Sequence, residues 1–116
     1  MKGNTNATSQ AITTFIPTDS EYCSFNSTYS SCQQVGNIVL VSLGGCACSN
    51  TNDQAVVAMT GFPKAAHTVF APIFSHYNGY CGYFRIDANS GNLNMVTLKA
   101  TGTDITMQFT YIALTG

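Results

Sequence analysis

The chain has 116 residues, which fits one domain with a single modest core. Charged residues make up 8% of it and the net charge is −1, so a basic surface for nucleic acid or for anionic lipid is excluded. Neutral polar residues must cover the surface instead, which is typical of β-rich proteins. No apolar run approaches a membrane span. Residues 1–10 lack the apolar stretch of a secretory signal, and we expect a flexible or linker segment there.

The five cysteines are an odd number, so at least one has no disulfide partner within the chain. We expect all five to be reduced and to act as small apolar side chains in a protein assembled in a reducing cytoplasm. Cys46 and Cys48, with His67 or His76, suggest zinc, but structural zinc uses wider cysteine spacing and four ligands. The sequence therefore predicts no metal and no other cofactor.

Strand patterns begin in the first half of the chain. Ala11–Ile16 predicts a first strand, and the polar stretch after it predicts a strand near Glu21–Asn26 followed by a loop. Asn37–Leu43 is apolar on both faces, which indicates a strand covered on both sides. The glycine pair Gly44-Gly45 is expected to end it, with a loop continuing to Asn52.

The second half alternates short apolar segments with turns rich in Gly, Asn and Ser. Strands are expected at Ala55–Thr60, Thr68–Phe74, Tyr80–Asp87, Leu93–Leu98 and Ile105–Ala113. Pro72 marks the second of these as an edge strand or a bulged one. No segment has a sustained helical period. The pattern predicts a single all-β domain over residues 1–116, an antiparallel β-sandwich of about eight short strands, jelly-roll-like in arrangement.

Known catalytic patterns are missing from the sequence. Its five carboxylates are scattered, and Asp19 and Glu21, the pair nearest in sequence, follow a proline in a polar stretch typical of a solvated loop. A glycosidase needs two carboxyl groups flanking one bond. No nucleophile elbow, zinc-protease motif, phosphate-binding loop or dinucleotide fingerprint occurs. We expect no catalytic residue and no enzyme activity.

The densest group of ligand-binding side chains surrounds the turn at Ser75–Gly79. Tyrosine offers an apolar ring with a polar tip, which suits stacking on sugar rings, and Asn and His can bond hydroxyls. The predicted saccharide contacts are His76, Tyr77, Asn78 and Tyr80. Tyr80, Tyr83 and Phe84 are also consistent with ordinary strand positions, and for Phe84 that interpretation is favoured, whereas Tyr77 at the tip fits a binding role and a structural one equally. A rival site lies in the predicted loop Ser20–Gln34, which offers Tyr22, Phe25, Asn26 and Tyr29.

Four segments in a particular order carry a resemblance to a known family. They are Val35–Val41 (VGNIVLV), Gly61–Lys64 (GFPK), Gly82–Asp87 (GYFRID) and Ile105–Ile112 (ITMQFTYI). This order resembles the C-terminal head domains of bacteriophage tail-fibre and baseplate receptor-binding proteins. The chain departs from that pattern by having Ala65 where a second proline is expected, and by its cysteine content.

The resemblance implies a β-sandwich head that forms a homotrimer and attaches to a saccharide on the host cell surface. It also implies a place in the virion tail, after assembly in the bacterial cytoplasm, with the rest of the tail fibre or baseplate as a partner. The low charge and the two-faced apolar strand Asn37–Leu43 agree with a homotrimer, because a neighbouring subunit can cover the second face. The resemblance transfers no binding residue to this chain.

Two other functions are consistent with the same residues. A carbohydrate-binding module of a secreted bacterial protein would be monomeric, although the absence of tryptophan counts against it. A purely structural trimerisation domain of a virion would share the fold and bind no ligand. Molar mass in solution separates the first of these from a trimeric head, and a binding assay separates the second.

Overall fold

The fold is taken from a computed structural model, which describes residues 11–48, 52–97 and 105–114, with backbone alone for residues 52–54. The segment expected to be a linker, residues 1–10, lies outside the described residues. So do residues 98–104, which include the last residue of the predicted strand Leu93–Leu98. Within the described ranges, no helix is long and apolar enough to cross a membrane.

Strands account for nearly all of the regular structure in this part of the chain, which confirms the all-β prediction. Nine strands form one antiparallel sheet in the order β1-β3-β4-β9-β6-β7-β8-β5-β2. Their bounds are β1 Ile12–Thr14, β2 Thr18–Asp19, β3 Cys23–Val35, β4 Ile38–Cys48, β5 Asn52–Thr60, β6 Val69–Ser75, β7 Gly79–Ile86, β8 Leu93–Thr97 and β9 Ile105–Ile112.

The sheet curls until its two edges approach each other. Strands β1 and β2 lie at opposite ends of the strand order, yet only residues 15–17 separate them along the chain. The backbone N–H of Ser20 donates to the carbonyl of Cys23 at 3.1 Å, which links the end of β2 to the start of β3. The layers of the predicted sandwich are therefore two halves of one curled sheet, joined where β9 pairs with β6 at Phe74–Thr106 and Ser75–Ile105.

One apolar core fills the space between these halves. Strand β9 alternates: Ile105, Met107, Tyr111 and Ala113 are buried and Phe109 on the same face is partly buried, while Thr106, Gln108, Thr110 and Ile112 are exposed. Strand β4 buries alternate residues on either side of the glycine pair: Val39, Val41 and Leu43 before it, and Cys46 and Cys48 after it. The core as a whole consists of Cys23, Cys32, Val39, Val41, Leu43, Cys46, Cys48, Ala58, Met59, Phe62, Ala65, Ala71, Ile73, Cys81, Phe84, Ile86, Leu93, Met95, Ile105, Met107, Tyr111 and Ala113.

Two expectations for the first half of the chain are wrong. The predicted loop after Asn26 is part of β3, which continues to Val35, and the glycine pair Gly44-Gly45 lies inside β4. The reason is the same in both cases. A bulge leaves residues 27–30 unpaired between Asn26, opposite Gly44, and Ser31, opposite Ser42, and a side chain at Gly44 would lie 2.7 Å from the carbonyl oxygen of Tyr29. Glycine here permits close approach of two strands rather than a chain turn.

The Gly61–Lys64 segment has a structural role at one end of the core. Phe62 is buried and its ring packs edge-on against Phe15 at 5.8 Å. The hydroxyl of Tyr111 donates to the carbonyl of Pro63 at 2.7 Å. The segment thus ties the β1–β2 connection to the end of β9.

Candidate functional site

The turn between β6 and β7 holds the sequence-predicted contacts in a defined conformation. The Ser75 hydroxyl accepts hydrogen bonds from the backbone N–H groups of Tyr77 and Asn78, both at 3.1 Å. His76 Nε2 lies 3.2 Å from the Thr106 hydroxyl of the neighbouring strand β9. Tyr77 stands at the tip with 87% of its surface exposed. Ser75 is buried and Thr106 lies on a strand, so the hydrogen bonds to these two residues hold the turn in one conformation. The turn therefore presents its side chains in place before any ligand binds.

A larger aromatic surface extends from this turn along the outer face of β6 and β7. We call Phe70, Phe74, Tyr80 and Tyr83 the aromatic strip. Phe70 is 63% exposed, Phe74 52% and Tyr80 49%, and Tyr83 is partly exposed. The rings form two pairs, with centroids 5.8 Å apart for Phe70–Tyr83 and 6.0 Å for Phe74–Tyr80. Of the predicted contacts, Tyr80 belongs to the strip, and His76, Tyr77 and Asn78 lie beside its end.

A β-bulge brings the two tyrosines to one face. Tyr83 is three positions after Tyr80, and in a regular strand that spacing would put them on opposite faces. The register of β6 and β7 shifts at this point, because Ile73 is opposite Gly82 whereas the next residue, Phe74, is opposite Tyr80. The φ angle of Gly82 is +145°, which residues with a side chain rarely adopt. A Cβ atom added to Gly82 would also overlap the backbone of Val96. The bulge therefore builds the strip.

Phe70 and Phe74 were not predicted as site residues from the sequence, although the alternating pattern of β6 contains the information. Buried and exposed residues alternate strictly through that strand, with Phe70, Pro72 and Phe74 on the exposed side. Pro72 lies where β6 has a partner on one side only, since its pairing with β9 begins at Phe74. The prediction that this proline marks an edge or a bulge is confirmed. Two large apolar rings on the solvent face of an edge segment indicate a binding surface.

Charge is nearly absent around the strip. Arg85, opposite Phe70, pairs with the carboxylate of Asp87, with 2.8 Å between Nε and Oδ1. The ion pair leaves this face close to neutral. A neutral surface with exposed rings and hydroxyl groups favours an uncharged, amphipathic ligand over a phosphate or a nucleic acid.

The rival site is a bulge rather than a loop. Asn26 Oδ1 accepts the backbone N–H of Thr28 at 2.9 Å, and the Ser30 hydroxyl donates to the Asn26 carbonyl at 2.7 Å. The exposed ring of Tyr29 and part of Phe25 line a shallow depression here of about 450 Å³. The bulge offers two aromatic rings, whereas the strip holds four rings in two contacting pairs.

The outer face of the other half of the sheet is aliphatic. Ile12, Val35, Ile38 and Ile112 are cross-strand neighbours in register over β1, β3, β4 and β9, and we call them the aliphatic row. All are exposed except Val35, which is partly so, and exposed Leu40 continues the apolar surface along β4. The expectation that β4 is covered on both faces is therefore not met within one chain. Its second face is open.

The cysteines contribute to the core rather than to a site on the surface. All five are buried, and Cys46 and Cys48 point to the same face of β4 as the sequence suggests. Burial, with smaller effects from Cys48 and Cys32, raises the pKa of Cys46 to about 12, so this thiol is protonated at neutral pH and a poor nucleophile. His67 and His76 are exposed, whereas all five thiols are buried. The described residues contain no group of three or more metal-binding side chains.

Comparisons of the chain with protein-family models, with curated proteins and with solved structures find no match. Support for a function therefore comes from the residues and from the two outer faces of the sheet.

Proposed function

We propose that this chain is a non-catalytic saccharide-binding head domain of a bacteriophage receptor-binding protein, and that it attaches through the aromatic strip to a saccharide on the host cell. The observation that carries the proposal is the strip itself: four aromatic side chains in two pairs on the solvent face of two strands. Exposed large apolar patches of this kind mark binding surfaces in soluble proteins.

The chemistry of the strip suits sugar rings. A pyranose has a flat face of C–H groups and an edge of hydroxyls, so it stacks on an aromatic ring and bonds to nearby polar groups. Tyr80 and Tyr83 supply both a ring and a hydroxyl. At the turn, Asn78 and His76 add further hydrogen-bonding groups within the same surface. Phe70 and Phe74 supply apolar contact alone.

The dimensions of the strip favour a chain of sugars over a single one. Phe70 and Phe74 are four residues apart on one strand, which places their Cα atoms about 13 Å apart. That span accommodates more than one pyranose ring. Because the rings sit on strands, little order has to be gained on binding, which limits the entropic penalty.

We propose further that the domain associates with itself as a homotrimer, and the aliphatic row supports this. A stable interface buries about 800 Å² per partner, roughly an eighth of the 6436 Å² surface of this chain. The row crosses four strands and extends to Leu40, and it carries no charge that would oppose another copy. Three copies would present three strips, so that weak individual contacts give strong attachment through avidity. The fibre or baseplate would then hold the trimer.

A purely structural role in a trimeric virion protein is the second candidate, and the aliphatic row is the observation that favours it. It accounts for the open face of β4 but gives the aromatic strip no role. The proposed head domain accounts for both outer faces, with the aromatic strip as the saccharide site and the aliphatic row as the trimer interface.

The test is binding of the purified domain to an array of bacterial cell-surface saccharides and to host-candidate cells. We expect the double variant Phe74→Ala, Tyr80→Ala to lose at least about tenfold in affinity, equivalent to about 1.4 kcal/mol. Tyr77→Ala should weaken binding and leave folding intact, since the tip contributes nothing to the core. Ile16→Ala, which also removes an exposed apolar side chain but from the β1–β2 connection, outside both the strip and the aliphatic row, is the matched control and should bind normally.

Two results would contradict the proposal. If Tyr29→Ala abolishes binding while the strip variants bind as the parent does, the site is the bulge of β3. If the parent binds no saccharide and no cell, the structural role replaces the proposed one.

A further inference from the structure

Cys23 and Cys48 face each other across two neighbouring strands. Cys23 is the first residue of β3 and Cys48 the last of β4, and the two are directly opposite in the antiparallel register. Both side chains are buried on the core side of the sheet. They are close enough for the two thiols to share a hydrogen bond.

The backbone geometry at this pair suits a disulfide. The carbonyl of Cys23 accepts a hydrogen bond from Ser20, on the side away from β4. Because the N–H and C=O of a strand residue point the same way, Cys23 and Cys48 form a non-hydrogen-bonded pair. Opposed Cα atoms in such pairs are about 4.5 Å apart, within the range of about 4.4–6.8 Å that a disulfide spans.

The remaining cysteines lack such a partner. Cys32 is opposite Val41, and Cys46 is opposite Ile105 of β9. Cys81 lies on β7, in the half of the sheet that contains no other described cysteine. Register therefore selects one pair out of the five thiols.

We propose that Cys23 and Cys48 are a site of reversible thiol oxidation, at which a peroxide converts the two thiols into a cross-strand disulfide. One sulfur, as thiolate, attacks the peroxide O–O bond, giving a sulfenic acid and, after protonation, one water. The second sulfur attacks the sulfenic sulfur, forms the S–S bond and releases the hydroxyl as a second water. The two thiols lose two electrons and two protons, which reduce one peroxide to two waters. The proposal does not depend on what the domain binds.

The site stays reduced until the strand ends open. The hydrogen bond to Cys48, together with burial, raises the pKa of Cys23, so little thiolate is present at neutral pH. Both residues end their strands, where local opening is easiest. Once formed, the bond would fix β3 to β4 beside β2, where the two edges of the curled sheet meet, and would close the loop of residues 23–48.

The experiment starts from fully reduced protein, treated with hydrogen peroxide and then analysed intact and by peptide mapping without reduction. We expect the mass to fall by two hydrogen atoms, three thiols to remain when the protein is denatured, and one linked peptide to join Cys23 to Cys48. The thermal midpoint should rise by about 5–10 °C and return on reduction. Cys23→Ala and Cys48→Ala should lose these effects, whereas Cys32→Ala and Cys81→Ala should keep them.

The peptide map decides the matter even if an alanine variant folds poorly. A linked peptide joining any other pair overturns the proposal. So does folded wild-type protein that keeps five thiols under conditions that oxidise the same protein in urea. A Cys48→Ala variant that forms a disulfide as readily as the parent would overturn it as well.

Discussion

Replacing Gly82 with alanine tests whether the bulge in β7 is a structural necessity. The new Cβ would overlap the carbonyl oxygen of Val96, and φ of +145° is strained for any residue with a side chain. Backbone strain alone costs about 1–3 kcal/mol, and the overlap forces β7 away from β8. We therefore expect a loss of about 3 kcal/mol, a large fraction of the 5–15 kcal/mol typical of a domain. With about 2.1 cal/mol/K of unfolding entropy per residue, the thermal midpoint should fall by about 12 °C.

The matched control is Gly79→Ala in the same hairpin. Its φ is +73°, but an added Cβ would have no atom within 4 Å. Only the left-handed conformation is penalised there, by about 1–2 kcal/mol, which lowers the midpoint by roughly 4–8 °C. Circular dichroism melts of the two variants and the parent make the comparison. If Gly82→Ala melts no lower than Gly79→Ala, the close contact between β7 and β8 is not as described.

Three further predictions concern the core and the aliphatic row. Tyr111→Phe removes the 2.7 Å hydrogen bond to Pro63 and should lower the free energy of unfolding by about 1 kcal/mol in urea titrations, with no change in fold. Because Cys46 has a higher pKa when folded (about 12) than its ordinary 9.0, its stabilising effect is complete below about pH 9 and is lost as pH rises toward 12. Above pH 9 the free energy of unfolding of the parent should therefore fall with pH more steeply than that of Cys46→Ala, by up to about 1.4 kcal/mol per pH unit. Denaturant unfolding at a series of pH values measures both slopes. Light scattering should give the mass of a trimer, and Ile38→Asp should give that of a monomer; a monomeric parent at micromolar concentration would contradict self-association.

Local alternation was enough to predict most of the strands. In β9 every second residue is apolar, and in β7 the order of Phe84 and Ile86 against Tyr83 and Arg85 gives the correct faces. One face of these strands meets the core and the other meets solvent, so the period of two is visible in the sequence. The burial of Phe84 follows from this pattern.

Irregular strand pairing was the part that the sequence did not reveal. The pair Gly44-Gly45 has the composition of a turn, and only the long partner strand β3 shows that it receives the backbone of Tyr29. The closure of the sheet is equally non-local, since it depends on residues 15–17 linking the two edges. The sequence shows that residues 44 and 45 are glycines, but the contact that requires a glycine there comes from Tyr29 on another strand.

The candidate site was found in part. Tyr80 and the turn residues stand out because aromatic and amide side chains are adjacent in sequence. Phe70 and Phe74 come to them only through the pairing of β6 with β7, and Tyr83 joins Tyr80 only through the bulge at Gly82. A site made from two strands and a register shift is visible once the pairing is known.

The most direct test of the aromatic strip as a saccharide site is an NMR titration of ¹⁵N-labelled domain with the strongest ligand from the saccharide array. The account predicts that the amide shifts cluster at residues 70–83 of β6, the turn and β7, and that the Phe74→Ala, Tyr80→Ala variant shows none of them at the same ligand concentration. Shifts confined to residues 25–30 of β3, or a double variant that titrates like the parent, would contradict it.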